Sequence, residues 1–407
     1  MTNISPNLRE ELSTIFTSLS QNLDITKTQY ENLTKSYSAV GKYLEEDPVF
    51  APYHPVITPQ GSLRLGTIIQ PINDNDDLDV DLVYRLIGKR PNWTQYDIKY
   101  RVGQRLKAHR TYQDMLDNEG RRCWTLLYRQ ESEDVKEHYH MDILPCVADT
   151  GYVERIQKIE ASRFSINEID KIAIRITDNM DAKYKISEDK NDWRKSNPDG
   201  YAMWFASRCK NTNEIRETIM DSIMPIGKYV PNKTILQQIV QILKRHRDIM
   251  FNGDEDKPIS IIITTLASRA YQGEANLFEG LSNVIDRMEM FIKRDYNGTF
   301  IIENPVNAEE NFADKWATHP KRKENFFKWL QKLKNDKNAI VSHKGVLLRE
   351  TFAEAFGKHI TDNVFSNTVE FHKSEATNGK LRVSSTGVIG AIGKTLNANN
   401  TFFGEKQ

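Results

Sequence analysis

The 407-residue chain carries 56 Lys and Arg against 56 Asp and Glu, and 28% of its residues are charged. It therefore has no global excess of positive charge of the kind duplex nucleic acid selects, and no apolar run approaches the roughly 18 residues of a membrane span. Cys123, Cys146 and Cys209 are odd in number and scattered, which argues against a disulfide framework; the start MTNISPNLREEL lacks the basic and apolar stretches of a secretory signal, and a reducing cytoplasm is the expected setting.

Taken in chain order, apolar residues recur at three and four from residue 8 to about 44 (Leu12, Ile15, Phe16, Leu19, Leu23), which predicts helix with a break near residues 24–26. Residues 55–145 alternate strands with a helix around 96–118, and 123–128 reads as a further strand of the same mixed sheet. The stretch 178–198 has few apolar anchors and reads as a link. Beyond residue 201 helical patterns dominate. In 234–251, Leu236, Ile239, Val240 and Leu243 form an apolar stripe with Lys244 and Arg247 at its edge. A last helix over 346–356 ends at a C-cap glycine, Gly357. Residues 367–407 are rich in Ser, Thr, Asn and Gly and are expected to be largely mobile.

The chemistry concentrates in residues 60–84, QGSLRLGTIIQPINDNDDLDVDLVY. In a strand with period two, Asp79 and Asp81 project from one face while Leu78, Val80 and Leu82 turn to the other. Asp77 follows the polar run 73–76 and reads as an edge residue, so Asp79 and Asp81 form the expected pair. Such carboxylates supply the hard oxygen ligands that magnesium prefers, and two divalent ions can hold the attacking and leaving oxygens of an in-line displacement. Upstream, Gly61 allows close approach of backbone to a triphosphate, and Ser62 offers a hydroxyl donor. A lone DxD reads more simply as acidic residues capping a turn. A third carboxylate counts against that simpler reading: in 138–145, His138, His140, Asp142 and Leu144 share one face, which lets Asp142 join the site as metal ligand and proton acceptor from an attacking hydroxyl. The competing zinc site of His138, His140 and Asp142 fits less well, because alternate residues of one strand fan out over about 13 Å.

QGS at 60–62, LDVDLV at 78–83 and HMDILP at 140–145 resemble the DNA polymerase β-like nucleotidyltransferases. More narrowly, together with SNPDGYAMWF at 196–205, LKRHRD at 243–248, KPISIIITTLASRAY at 257–271 and NPVNAEENFADKW at 304–316, the chain looks like the bacterial CD-NTases, relatives of cyclic GMP-AMP synthase and oligoadenylate synthase in CBASS anti-phage signalling. One departure from the wider superfamily is the longer spacing of sixteen residues between Ser62 and Asp79, which the narrower group tolerates.

The resemblance implies an α+β fold: a nucleotidyltransferase core with a mixed sheet and an N-terminal spine helix over 1–195, a helical domain of oligoadenylate synthase type over 196–366, and a flexible tail over 367–407. It implies ATP or GTP as substrates, Mg2+ or alternatively Mn2+ at Asp79, Asp81 and Asp142, and pyrophosphate release on making a cyclic di- or trinucleotide that acts on a downstream effector. Gln60, Gly61, Ser62 and Lys244 would position the donor phosphates, with Ser260 and Asp314 as further nucleotide contacts. From the residues alone, Lys244 reads as a snorkelling lysine, Ser260 as a helix N-cap, and Asp314 as an acidic residue near a helix start. Trp193, Tyr201, Trp204 and Phe205 read as domain-junction core rather than base-stacking residues. No Cys/His cluster suggests a DNA-sensing loop, so no DNA requirement is expected. In some operons of this family a ubiquitin-like transfer system conjugates the synthase carboxyl terminus, which residues 402–407 could suit. Two alternatives stay open: a transferase acting on an RNA or small-molecule acceptor, and a non-catalytic nucleotide-binding scaffold.

Overall fold

The predicted break in the first helical segment falls where expected: α1 (Pro6–Leu23) stops, and α2 (Lys27–Glu45) starts from a capping box in which Thr26 and Gln29 satisfy each other's backbone N–H groups. The computed structural model describes residues 4–72, 77–129, 138–152, 154, 172–209 and 229–366, with the backbone of 382–383, 389–390 and 395–396. Contacts group the chain into two compact units, one formed by 24–237 with 294–314, the other by 1–23, 238–293 and 315–407. The grouping differs from the segments 1–195 and 196–366 in that residues 196–237 and 294–314 join the sheet unit and α1 joins the later helices.

The first unit is built on a six-stranded mixed sheet. Its strands are β1 (Val56–Pro59), β2 (Leu78–Leu86), β3 (Trp124–Tyr128), β4 (Tyr139–Ala148), β5 (Ile174–Ile176) and β6 (Arg194–Ser196), in the order β1-β2-β4-β5-β6 with β3 also on β4. β2 and β4 run parallel and every other pairing is antiparallel. A short turn of helix, α3 (Gly61–Leu65), follows β1, and α4 (Gln95–Lys107) and α5 (Arg110–Met115) connect β2 to β3. One sheet face is apolar: Leu78, Val80, Leu82, Trp124, Leu126, Met141 and Ile143 are buried with Tyr37, Val40 and Leu44 of α2 and Ile98, Val102 and Leu106 of α4. Gly103 lets α4 lie directly on the Trp124 ring, whose Nε1 donates to the Lys99 carbonyl at 2.9 Å. Trp193 is buried in the same core. Tyr201 and Phe205, on α6 (Pro198–Cys209), are buried too, so these three aromatics pack rather than present a free ring face.

The expected link over 178–198 is partly a strand. β6, with sequence RKS, pairs with β5 at the sheet edge. Pairing there rests on backbone hydrogen bonds, which an edge strand can make without the apolar alternation that sequence reading looks for.

In the second unit α1 is followed by α7 (Ile235–Phe251, belonging here from residue 238), α8 (Ser260–Ala270), α9 (Leu277–Arg287), α10 (Pro320–Ser342) and α11 (Gly345–Phe356). Phe16 of α1 stacks on Phe278 with ring centroids 5.7 Å apart and meets Phe352 and Phe356. Gly357 caps α11 at φ 98°, the left-handed region that favours glycine. The stripe predicted on α7 understates its burial: Lys244, Arg245, His246 and Arg247 are all buried beside Ile242 and Leu243. Lys244 and Arg247 are thus not at a solvated edge. Their neighbour His246 meets Asp336 through Nε2 at 2.9 Å, and burial lowers the Arg245 pKa to about 10. In the tail expected to be mobile, Arg382–Val383, Ile389–Gly390 and Thr395–Leu396 form a small antiparallel sheet; residues 402–407 lie outside those described. No helix among the described residues is long and apolar enough to cross a membrane.

Candidate active site

The face of the sheet opposite the apolar core carries the carboxylates. Along β2 the burial alternates, with Leu78 and Val80 buried, Asp79 exposed and Asp81 half-buried; along β4 Tyr139 and Met141 are buried while His140 and Asp142 are half-buried. The parallel register sets Asp79 opposite His140 and Asp81 opposite Asp142. The pairing chosen from sequence therefore lands on one face, and the third carboxylate comes from the neighbouring strand.

β1 brings the phosphate-binding candidates to the same place. Pro59 pairs with Leu82, so the chain leaves β1 beside Asp81, and the Gln60 N–H donates to the Asp81 carbonyl at 2.8 Å. Gly61 opens α3 at φ 60°, and a Cβ there would overlap Asp81 Oδ2. The glycine is required twice, for a left-handed backbone and for contact with a carboxylate. Replacing Gly61 by Ala is expected to add about 1–2 kcal/mol of backbone strain and to cut turnover by roughly 10²-fold through displacement of Asp81. Steady-state pyrophosphate release checks this, and wild-type turnover would show that the Asp81 carboxylate need not stay where it is.

Asp142 has a neighbour that sequence reading missed. Thr125 lies directly opposite it in the β3–β4 register and donates its hydroxyl to Asp142 Oδ1 at 2.5 Å. Cys123 lies close by: burial, then the Asp142 charge, pushes its thiol up to about 11. The signal in sequence was a polar residue at the second position of the otherwise apolar WTLLY strand. Its partner depends on register, which sequence does not print. The histidines are engaged with Asp77, His140 Nε2 at 2.6 Å and His138 Nδ1 at 3.7 Å. That pairing takes both rings away from the zinc alternative.

The donor set fits divalent ions in kind: three acidic side chains on one open face, next to a turn suited to phosphates. As they stand, no three His, Cys, Asp or Glu side chains among the described residues converge on a point that could hold an ion. Side-chain rotation would have to draw Asp79, Asp81 and Asp142 together on binding.

Lys244 and Ser260 belong to the helical unit. Ser260 is not the N-cap of α8; Ile259 holds that place and makes no side-chain cap, while Ser260 is the first helical residue and its Oγ accepts from Arg247 at 2.9 Å. Asp314 belongs to the sheet unit, opens a single 3₁₀ turn and faces Arg194 at 4.0 Å.

Comparison with known proteins gives a match to the Second Messenger Oligonucleotide or Dinucleotide Synthetase domain over residues 11–168. The chain is 27% identical to the c-di-GMP synthase of Roseivirga ehrenbergii, over 99% of this chain and 100% of that one. In fold it is similar to the Bradyrhizobium diazoefficiens CD-NTase CdnG in complex with GTP, with a TM-score of 0.65 at 17% identity over 88% of this chain and 99% of that one. It is also similar to E. coli MS115-1 CdnC with ATP, with a TM-score of 0.55 at 13% identity over 84% and 96%. The chain shares its overall fold, a mixed sheet together with a helical region, with these solved structures. The domain match and the shared fold make the chain similar to the bacterial CD-NTases.

Proposed function

We propose that the chain condenses nucleoside triphosphates into a cyclic dinucleotide containing guanine, releasing pyrophosphate at each step. The observation that carries the reading is the open sheet face on which Asp81 stands opposite Asp142 and against Gly61. The full-length likeness to a c-di-GMP synthase supports guanine as the first base to test.

In this reading a ribose hydroxyl oxygen of one nucleotide bonds to the α-phosphorus of a second, and the bond from that phosphorus to the bridging oxygen of the leaving pyrophosphate breaks. The hydroxyl proton passes to Asp142. Asp79, Asp81 and Asp142 would hold Mg2+ or Mn2+, which when bound would stabilise the charge on the attacking and leaving oxygens. Gln60, Gly61 and Ser62 position the donor phosphates through backbone amides and the serine hydroxyl. Lys244 and Ser260 of the helical unit and Asp314 of the sheet unit are further candidate nucleotide contacts. The product would act on a downstream effector in anti-phage defence in the cytoplasm.

The test is incubation of the purified protein with labelled nucleoside triphosphates and magnesium or manganese, then phosphatase treatment and mass spectrometry. A phosphatase-resistant cyclic dinucleotide from GTP, alone or with ATP, is expected. A cyclic species lacking guanine would correct the base assignment, and products formed only with an added RNA or small-molecule acceptor would overturn cyclase activity.

A further inference from the structure

We propose that Thr125 is a positioning residue for Asp142: by donating to Oδ1 it fixes the carboxylate plane and leaves Oδ2 directed to the reaction. The inference rests on the reading of Asp142 as the third acidic residue of the site. It goes beyond that reading because it assigns the two carboxylate oxygens different tasks.

Three features of the sheet carry it. Thr125, Asp142 and Asp81 form a row across three adjacent strands, since Thr125 pairs with Asp142 on one side of β4 and Asp81 pairs with it on the other. The hydroxyl donates to Oδ1, so one of the two carboxylate oxygens is already engaged. β3 is held firmly around this residue: Trp124 and Leu126 are buried, and the indole is fixed by its hydrogen bond to Lys99 and by the close approach of Gly103.

A carboxylate has two oxygens with about four acceptor directions, and an unsupported one turns about its terminal torsion with little resistance. A hydroxyl anchored on a packed strand removes that freedom before substrate arrives. Partners of this kind, one step removed from the ligand, typically contribute 10–100-fold to metal affinity or activity. The branched Cβ of threonine also suits the strand and limits its own χ1.

The test compares Thr125→Val, Thr125→Ser and Asp142→Asn in the full-length protein. Thr125→Val, which keeps the branched shape, is expected to lower kcat by about 10–100-fold with little change in KM for the nucleotide. Mn2+ affinity, read by electron paramagnetic resonance with a non-hydrolysable nucleoside triphosphate and so without turnover, should weaken in parallel. Thr125→Ser restores the hydroxyl and should recover most of both. Wild-type kcat and Mn2+ affinity in Thr125→Val would overturn the proposal, as would a serine variant as impaired as the valine one. The Asp142→Asn arm separates the two levels: if that variant still turns over, the placement of Asp142 in the reaction fails; if it is inactive while Thr125→Val is normal, only the role of Thr125 fails.

Discussion

The double substitution of Asp79 and Asp81 by Asn is expected to abolish pyrophosphate release while leaving the fold intact. Each replaced group removes an anionic ligand from a face whose proposed task is to hold divalent cations, and the stabilisation such cations give a developing charge amounts to several kcal/mol, or ~10³-fold or more in rate. Stability should not fall, because Asp79 is exposed and Asp81 half-buried, and neither belongs to the apolar core. Asn keeps the side-chain volume beside Gly61, so α3 need not move. A cooperative melting transition is therefore expected to persist in the double variant. Turnover persisting in a correctly folded double variant would remove Asp79 and Asp81 from the mechanism.

The part of this site legible in sequence is the part that period-two alternation controls. Leu78, Val80 and Leu82 could bury themselves only by sending Asp79 and Asp81 to the other face, and the same logic applied to Tyr139, Met141 and Ile143 puts Asp142 on the face opposite the core. What alternation cannot give is register. That Asp81 stands opposite Asp142, that Thr125 reaches Asp142, and that Asp77 engages His140 are all cross-strand facts set by chain connections tens of residues long. The edge strand β6 was missed because backbone pairing leaves no mark in the side chains of Arg194, Lys195 and Ser196. On α7 the sequence shows the stripe of Leu236, Ile239, Val240 and Leu243, with Lys244 and Arg247 at its edge. Neighbours also enclose the polar residues from Lys244 to Arg247, and some of their polar atoms meet specific partners, as in Arg247 donating to the Pro258 carbonyl and Ser260 Oγ and His246 Nε2 meeting Asp336.

Further along the strand face that carries Asp79 and Asp81, the same unit holds a buried charge centre whose loss should be strongly destabilising. Arg85, four residues beyond Asp81 on β2, donates to Asp199 Oδ2 at 3.0 Å, and the Tyr152 hydroxyl donates to the same oxygen at 2.9 Å. The guanidinium lies over the Tyr152 ring, 4.5 Å from its centroid. Burial alone would lower the Arg85 pKa, but Tyr152 and Asp199 outweigh it and hold the group above its ordinary value. Arg64, on the short helix that carries Gly61 and Ser62, has its pKa lowered by burial, with Asp199 opposing that shift. The Asp199 carboxylate at the start of α6 thus compensates the Arg85 guanidinium of β2 directly. Replacing Asp199 by Ala is expected to cost about 3–5 kcal/mol, because Arg85 would stay buried without its counter-charge. The loss should appear as faster amide hydrogen exchange along β2 and β4 and a lower urea midpoint for the sheet unit. Asp199→Asn, which keeps an acceptor but not the charge, should cost less. The paired change Arg85→Met with Asp199→Leu should cost less than the sum of its single variants, since no charge at that pair is then left unmatched. Unchanged exchange in Asp199→Ala would mean that water or another group replaces the carboxylate, and that the sheet bearing Asp79 and Asp81 is not braced from α6.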